Sequence, residues 1–302
     1  MIAEQPSRFE ASRNTAIVSR LLPAFAWLRE VAGRHRHILL AVAAALFLGG
    51  LAWALNSTGI DPVDFNWSWL GAAILLGLAG VILNGLELSA SGGAIGRQVP
   101  AGEAIHLSSV GILSNLLPIP ASALVRGGAL VAKGASVAQS GQILLYVGLL
   151  RLSVAGLFTG VALMSGPVGM PVVIASSAAS AVLLFLIARV GGIGHACILL
   201  GLRVGMLGIV AGQLMLCFWA LGANATIVDA ALHAIAPVVG SAVGIVPGGL
   251  GISEAIGATL AAVTSGSPAL AFAALALTRI AGYACAFVTV MVFQLRELVR
   301  AG

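Results

Sequence analysis

From residue 38 onward the chain is a series of long apolar runs separated by short polar stretches. A helix that crosses a bilayer needs about 20 predominantly apolar residues. On that measure 38–55, 69–90, 138–164, 171–189, 197–220 and 268–294 each predict a full crossing. Two further apolar segments are interrupted. Segment 104–133 contains Asn115, Pro118, Pro120, Arg126, Gly127 and Gly128; segment 231–264 contains Pro237, Pro247, Gly248, Gly249 and Gly251. Proline and glycine end helices, and neither half of either segment is long enough to cross. Each therefore predicts a re-entrant pair of half-helices, the first entering from the cytoplasm and the second from outside. The expected fold is an all-α polytopic membrane protein with six full spans and two re-entrant broken-helix hairpins, about eight hydrophobic segments in all.

The polar positions orient this pattern. Arg97, the loop 189–203 with Arg189, His195 and Arg203, and the pair Arg296 and Arg300 fall between spans on one side; Asp61, Asp64 and Asp229 fall on the other. Arginine-rich loops stay cytoplasmic, which places both termini inside and the protein in a bacterial inner membrane. Six of the 14 arginines lie in the first 36 residues. Residues 17–31 set Val18, Leu21, Leu22, Phe25 and Leu28 on one face, as in an interfacial helix. The polar stretch of about 37 residues before the first span is too long for a signal-peptide n-region, so that span is expected to remain uncleaved. The domain reading is a basic segment over 1–37, a single transmembrane domain over 38–295 and a tail over 296–302.

Composition agrees: 60% of residues are hydrophobic and 8% charged, against about 25% charged in soluble domains. The net charge of +5 suits anionic headgroups rather than nucleic acid, because no polar fold carries a basic patch. Cys197, Cys217 and Cys285 stand apart in apolar runs, without metal or redox spacing, and read as small hydrophobes.

Shifting the chain by 128 residues superposes its halves. Arg126 falls on Glu254, Arg151 on Arg279, and span 69–90 on span 197–220, with the two interrupted segments one residue out of register. The first unit, about 69–164, begins outside and the second, about 197–294, inside. They read as inverted copies, an arrangement that transporters build around a midplane site.

Arg126, Arg151, Glu254 and Arg279 lie in apolar surroundings, where each charge costs at least about 2.5–3.5 kcal/mol. Such residues pair or line a pathway. One reading is an anion-binding cavity with arginines on a phosphate and Glu254 balancing them; the other is a structural salt bridge between the halves. Asn84 and Glu87, three residues apart, share a helix face directed to the same cavity or, for Glu87, to cytoplasmic solvent. Asn115 reads as a helix cap or a ligand contact. His106 and His233 sit near the hairpin openings and read as interfacial. No histidine follows Ser253, which argues against a serine protease, and Gly249-Leu250-Gly251 lacks the strand and full glycine fingerprint of a nucleotide loop. No cofactor and no enzymatic activity are expected.

Ser241-Ala242-Val243-Gly244-Ile245-Val246-Pro247-Gly248-Gly249-Leu250-Gly251-Ile252-Ser253-Glu254, followed 25 residues later by Arg279, resembles the C-terminal signature of the lysylphosphatidylglycerol synthase transmembrane family, also called flippase-like domain proteins. Asn115-Leu116-Leu117-Pro118 followed by Arg126-Gly127-Gly128 resembles its earlier signature. The resemblance covers roughly residues 38–295. In bacterial multiple peptide resistance factors such a domain flips aminoacylated phosphatidylglycerol and is joined to a soluble aminoacyl-transferase domain. The chain stops at Gly302 with no polar stretch to house a transferase, so the resemblance implies the flippase part alone.

The expectation is a protein that flips an anionic or aminoacylated lipid through a central cavity. Its hinges would be Pro118, Pro120, Pro247, Gly248, Gly249 and Gly251. Its expected partners are membrane lipids, with a second copy of the chain or a lipid-modifying enzyme as further candidates. A transporter of a small amphipathic solute and a non-transporting membrane subunit stay open beside it.

Overall fold

A computed structural model describes residues 36–116, 121–242, 249–264 and 266–301. The described residues form helices α1 (Arg36–Thr58), α2 (Trp67–Ala94), α3 (Ala101–Ser114), α4 (Ala121–Ala132), α5 (Val137–Ala162), α6 (Gly169–Ala220), α7 (Ile227–His233), α8 (Ile235–Ala242), α9 (Ile252–Val263) and α10 (Pro268–Ala301), with a short 3-10 turn at Pro62–Asp64. No strand occurs among them. The interfacial helix expected over 17–31 lies outside the described residues, as do Pro118, Pro120, Pro247 and Gly248.

Five of these helices, α1, α2, α5, α6 and α10, are long and apolar enough to cross a membrane. Their outward surfaces are apolar, with Leu75, Leu145, Ile174, Phe185, Ile193 and Phe287 all exposed. Water would not tolerate that surface; lipid would. The protein is a multi-pass membrane protein.

One expectation is corrected. Residues 189–203 do not form a polar loop. The chain is helical from Gly169 to Ala220 except at Gly192, where φ 82° and ψ 162° break the run. A straight helix of 52 residues would measure about 78 Å, far beyond a bilayer core of about 30 Å. Gly192 instead divides α6 into α6a and α6b. Only glycine adopts this backbone cheaply, so a single residue does the work of a loop.

Side-chain contacts give the directions of the helices. Ser153 meets Ser180, Gly156 meets Ser176 and Gly160 meets Val173, so α5 and α6a are antiparallel. Leu76 lies against Gly212, Leu83 against Gly205 and Gly93 against His195, so α2 and α6b are also antiparallel. Gly191 abuts Ala94 so closely that a Cβ there would come within 2.7 Å of its Cα. The turn at Gly192 therefore sits on the end of α2.

The ends of the bundle differ in chemistry. One gathers Trp53, Trp67, Trp69 and Trp219, with Trp69 and Trp219 in edge contact at 4.9 Å, and holds Asp61, Asp64 and Asp229. The other holds Arg97, Glu103, Lys133, Arg189 and Arg296; Arg97 packs on Gly134, and Lys133 pairs with Glu103 at 2.8 Å. That ion pair also closes the mouth of the α3–α4 hairpin, so α3 begins and α4 ends at the basic end. At 14 and 12 residues, α3 and α4 are about 21 and 18 Å long. The second hairpin is the mirror case. Asp229 at the start of α7 and Thr264 just past α9 line a common pocket at the tryptophan end.

Candidate functional site

The described residues of the two hairpins that face inward, among them Asn115, Ser122, Ser241 and Ser253, border one space between α2, α5, α6b and α10. There they bound a cavity of about 280 Å³, lined in part by Asn84, Asn115, Arg126, Arg151, Glu254 and Arg279. Six of the sequence-selected site residues thus converge on one space. The seventh, Glu87, lies behind its wall.

Glu87 is fully buried, which excludes the solvated position allowed for it. Its Oε1 accepts from Arg126 Nη2 of α4, and its Oε2 lies against Arg203 Nη2 of α6b. One carboxylate thus ties the first hairpin to α2 and to the second half of the chain. Arg203 was expected in a cytoplasmic loop; it is 4% exposed and lines the cavity. The signal was present in the sequence. Leu199, Leu200, Leu202 and Val204 continue the apolar run on both sides of it, and a buried carboxylate needs a cation nearby.

Glu254 is held just as firmly. Its Oε2 accepts from the backbone N–H of Gly251 at 2.8 Å, and its Oε1 from Arg279 Nε at 2.7 Å. Arg279 also donates to the Gly249 carbonyl at 3.3 Å. A carboxylate in the first turn of a helix is favoured by unsatisfied N–H groups and the helix dipole. Gly251, at φ 80°, allows the backbone to turn into α9 at that point. Arg279 clamps the second hairpin to α10 as Arg126 clamps the first to α2.

Asn115 ends α3, and its Oδ1 accepts from Ser122 N at 3.3 Å, so it caps the following half-helix, α4. The Asn84 carbonyl receives Arg126 Nη2 at 3.5 Å. Both histidines stay within two turns of the hairpin openings and pack against aromatic rings. His106 is half-buried and stacks on Phe293, while His233 is 5% exposed and lies beside Phe218. Of the cysteines, Cys217 and Cys285 are buried as expected, but Cys197 is exposed.

Glu87 Oε2, which lies against Arg203 Nη2, makes no hydrogen bond of good geometry, and the other unsatisfied groups around the cavity are donors. Arg126 Nε, Arg203 Nε and Gln213 Nε2 are buried without hydrogen-bond partners. Arg151 makes no hydrogen bond or ion pair among the described residues and lines the cavity wall. Four guanidinium groups thus face two carboxylates. Among the described residues no group of three His, Cys, Asp or Glu side chains is placed to hold a metal ion. The arrangement is suited to hold an acceptor-rich anion. Compared with family models, with curated proteins and with solved structures, the chain matches none.

Proposed function

We propose that this protein moves an amphipathic molecule with an anionic headgroup, most simply a lipid, between the leaflets of the bacterial inner membrane. The supporting observation is the cavity itself: positive, rich in free donors, and enclosed by two half-length hairpins rooted at opposite ends of the bundle. Irregular backbone at membrane depth is tolerated only inside protein or beside water, and buried ionisable residues mark a pathway.

The order of elements supports an inverted repeat. α1, α2, the α3–α4 hairpin and α5 correspond to α6a, α6b, the α7–α9 hairpin and α10, each with its direction reversed. Full spans then number six, counting α6 twice, with two re-entrant hairpins. The basic end, by the positive-inside tendency, is cytoplasmic, and the tryptophans mark the outer interface. The resemblance to flippase-like domains points the same way. In this reading Arg126 and Arg279 are the latches of the two hairpins. An incoming anion competes with Glu87 or Glu254 for its arginine, which loosens one hairpin and opens the cavity toward that side.

The test is reconstitution in liposomes with fluorescent short-chain lipids, scoring the label that becomes accessible to a membrane-impermeant quencher. Arg279→Ala and Glu254→Ala are expected to insert normally yet abolish translocation. Wild-type rates in both variants would refute the proposal.

A further inference from the structure

We infer that the group held in the cavity is a phosphomonoester dianion rather than a phosphodiester or an aminoacylated headgroup. This rests on the transport reading and narrows its substrate class. The first argument is charge. Arg126, Arg151, Arg203 and Arg279 supply four positive charges to the cavity wall, and Glu87 and Glu254 return two. The other carboxylates of the described residues are remote. Asp61, Asp64 and Asp229 lie at the tryptophan end, Glu103 is paired with Lys133, and Glu297 is at the end of α10. The remaining three acids precede residue 36. Lys133, the chain's single lysine, is at the mouth of the first hairpin. Among the described residues the interior therefore holds two uncompensated positive charges.

The second argument is hydrogen-bond valence. Arg203 and Gln213, 4% and 5% exposed, line the cavity with Nε and Nε2 unpartnered, and Arg126 Nε is in the same condition. With the Arg151 guanidinium these are donors only. A terminal phosphate offers three acceptor oxygens and no donor when doubly ionised. At pH 8 a monoester is the dianion, its second pKa being about 6, whereas a diester carries one charge and two free oxygens. An aminoacyl headgroup adds ammonium donors and positive charge, both already in surplus here. A monoester matches the cavity in charge and in acceptor count, and a diester leaves one positive charge and part of the donor set unanswered.

The full chain, purified, delipidated and placed in phosphatidylcholine nanodiscs at pH 8, is titrated with short-chain phosphatidic acid, short-chain phosphatidylglycerol and inorganic phosphate. Phosphatidic acid is expected to bind one per chain and about tenfold or more tighter than phosphatidylglycerol, with the gap closing below pH 5.5. Weak binding of inorganic phosphate assigns the dianion to a lipid; binding as tight as phosphatidic acid keeps the dianion and assigns it to a soluble phosphate ester. Arg151→Gln is expected to bring phosphatidic acid down to the phosphatidylglycerol level, and Arg151→Lys to restore the gap. Arg151 holds no partner whose loss would unfold the chain, and monodisperse elution of both variants checks that. Phosphatidylglycerol binding within threefold of phosphatidic acid, two phosphatidylglycerols per native-mass-spectrometry peak, or an unchanged ratio in Arg151→Gln overturns the dianion and leaves anion transport standing. Binding of none of the three overturns both.

Discussion

Arg151 on α5 and Arg279 on α10 both line the cavity, yet their removal is expected to act in opposite directions. Arg279 neutralises Glu254, which is fully buried and has no other cation bonded to it among the described residues. Arg279→Met leaves that carboxylate alone, and breaking a buried pair by deleting one partner costs about 3–5 kcal/mol. Arg151 is bonded to no carboxylate among the described residues: it adds a fourth positive charge to a space where Glu87 already answers Arg126 and Arg203. Its burial costs about 2.5–3.5 kcal/mol on membrane-insertion scales. Cavity water lowers this, so Arg151→Met should gain about 1–2 kcal/mol. For a chain of this size one kcal/mol moves the midpoint by about 2–4 °C. Arg151→Met is thus expected to melt about 2–8 °C above wild type, and Arg279→Met about 6–20 °C below it. The assay is intrinsic-fluorescence thermal unfolding of delipidated protein in one detergent, all variants at one concentration. A fall in Tm for Arg151→Met comparable to that for Arg279→Met would show that Arg151 is a structural strut, and the account of the cavity as an anion site would be wrong.

Other outcomes follow from the same geometry. Glu87→Gln strands Arg126 and Arg203 together and should cost about 3–5 kcal/mol; adding Arg203→Gln should recover part of that loss, measured as a double-mutant cycle in Tm. Gly192→Val places a β-branched residue at φ 82° and should cost about 1–3 kcal/mol, seen as a lower Tm and a smaller folded yield. Glu103→Gln, at an ion pair 40% exposed on the acid's side, should change stability by less than about 1 kcal/mol. In a background without native cysteines, Glu103→Cys and Lys133→Cys should react with an impermeant maleimide from one side of the membrane, and Asn224→Cys and Ser267→Cys from the other. Labelling of Glu103→Cys and Lys133→Cys from opposite sides would mean that α3–α4 crosses the bilayer.

Hydropathy and helix-breaking residues made the long helices legible, because a bilayer enforces length and apolarity with little tolerance. They also made Arg126, Arg151, Glu254 and Arg279 stand out, since a charge within an apolar run has few excuses. Two features resisted. The reversal at Gly192 involves one residue, and one glycine among 39 carries no signal of its sign of φ. Arg203 stands in sequence among charges that mark a loop, although it lies eleven residues inside α6b on the face toward α2. A rule that scores charge by density along the chain cannot distinguish a cytoplasmic arginine from one aimed at a buried carboxylate, because the distinction lies in a partner far away in sequence.

That separation has a consequence for biogenesis. Glu87 is synthesised 39 residues ahead of Arg126, and Arg203 comes later still. At roughly 5–20 residues per second, α2 leaves the ribosome several seconds ahead of either arginine that pairs with Glu87 in the folded protein. In that interval the nascent span lacks the partners of its acid, and its final seating awaits α4. Release of α2 into lipid should therefore be timed by translation of the first hairpin, so that slowing the codons between them would prolong its stay at the translocon.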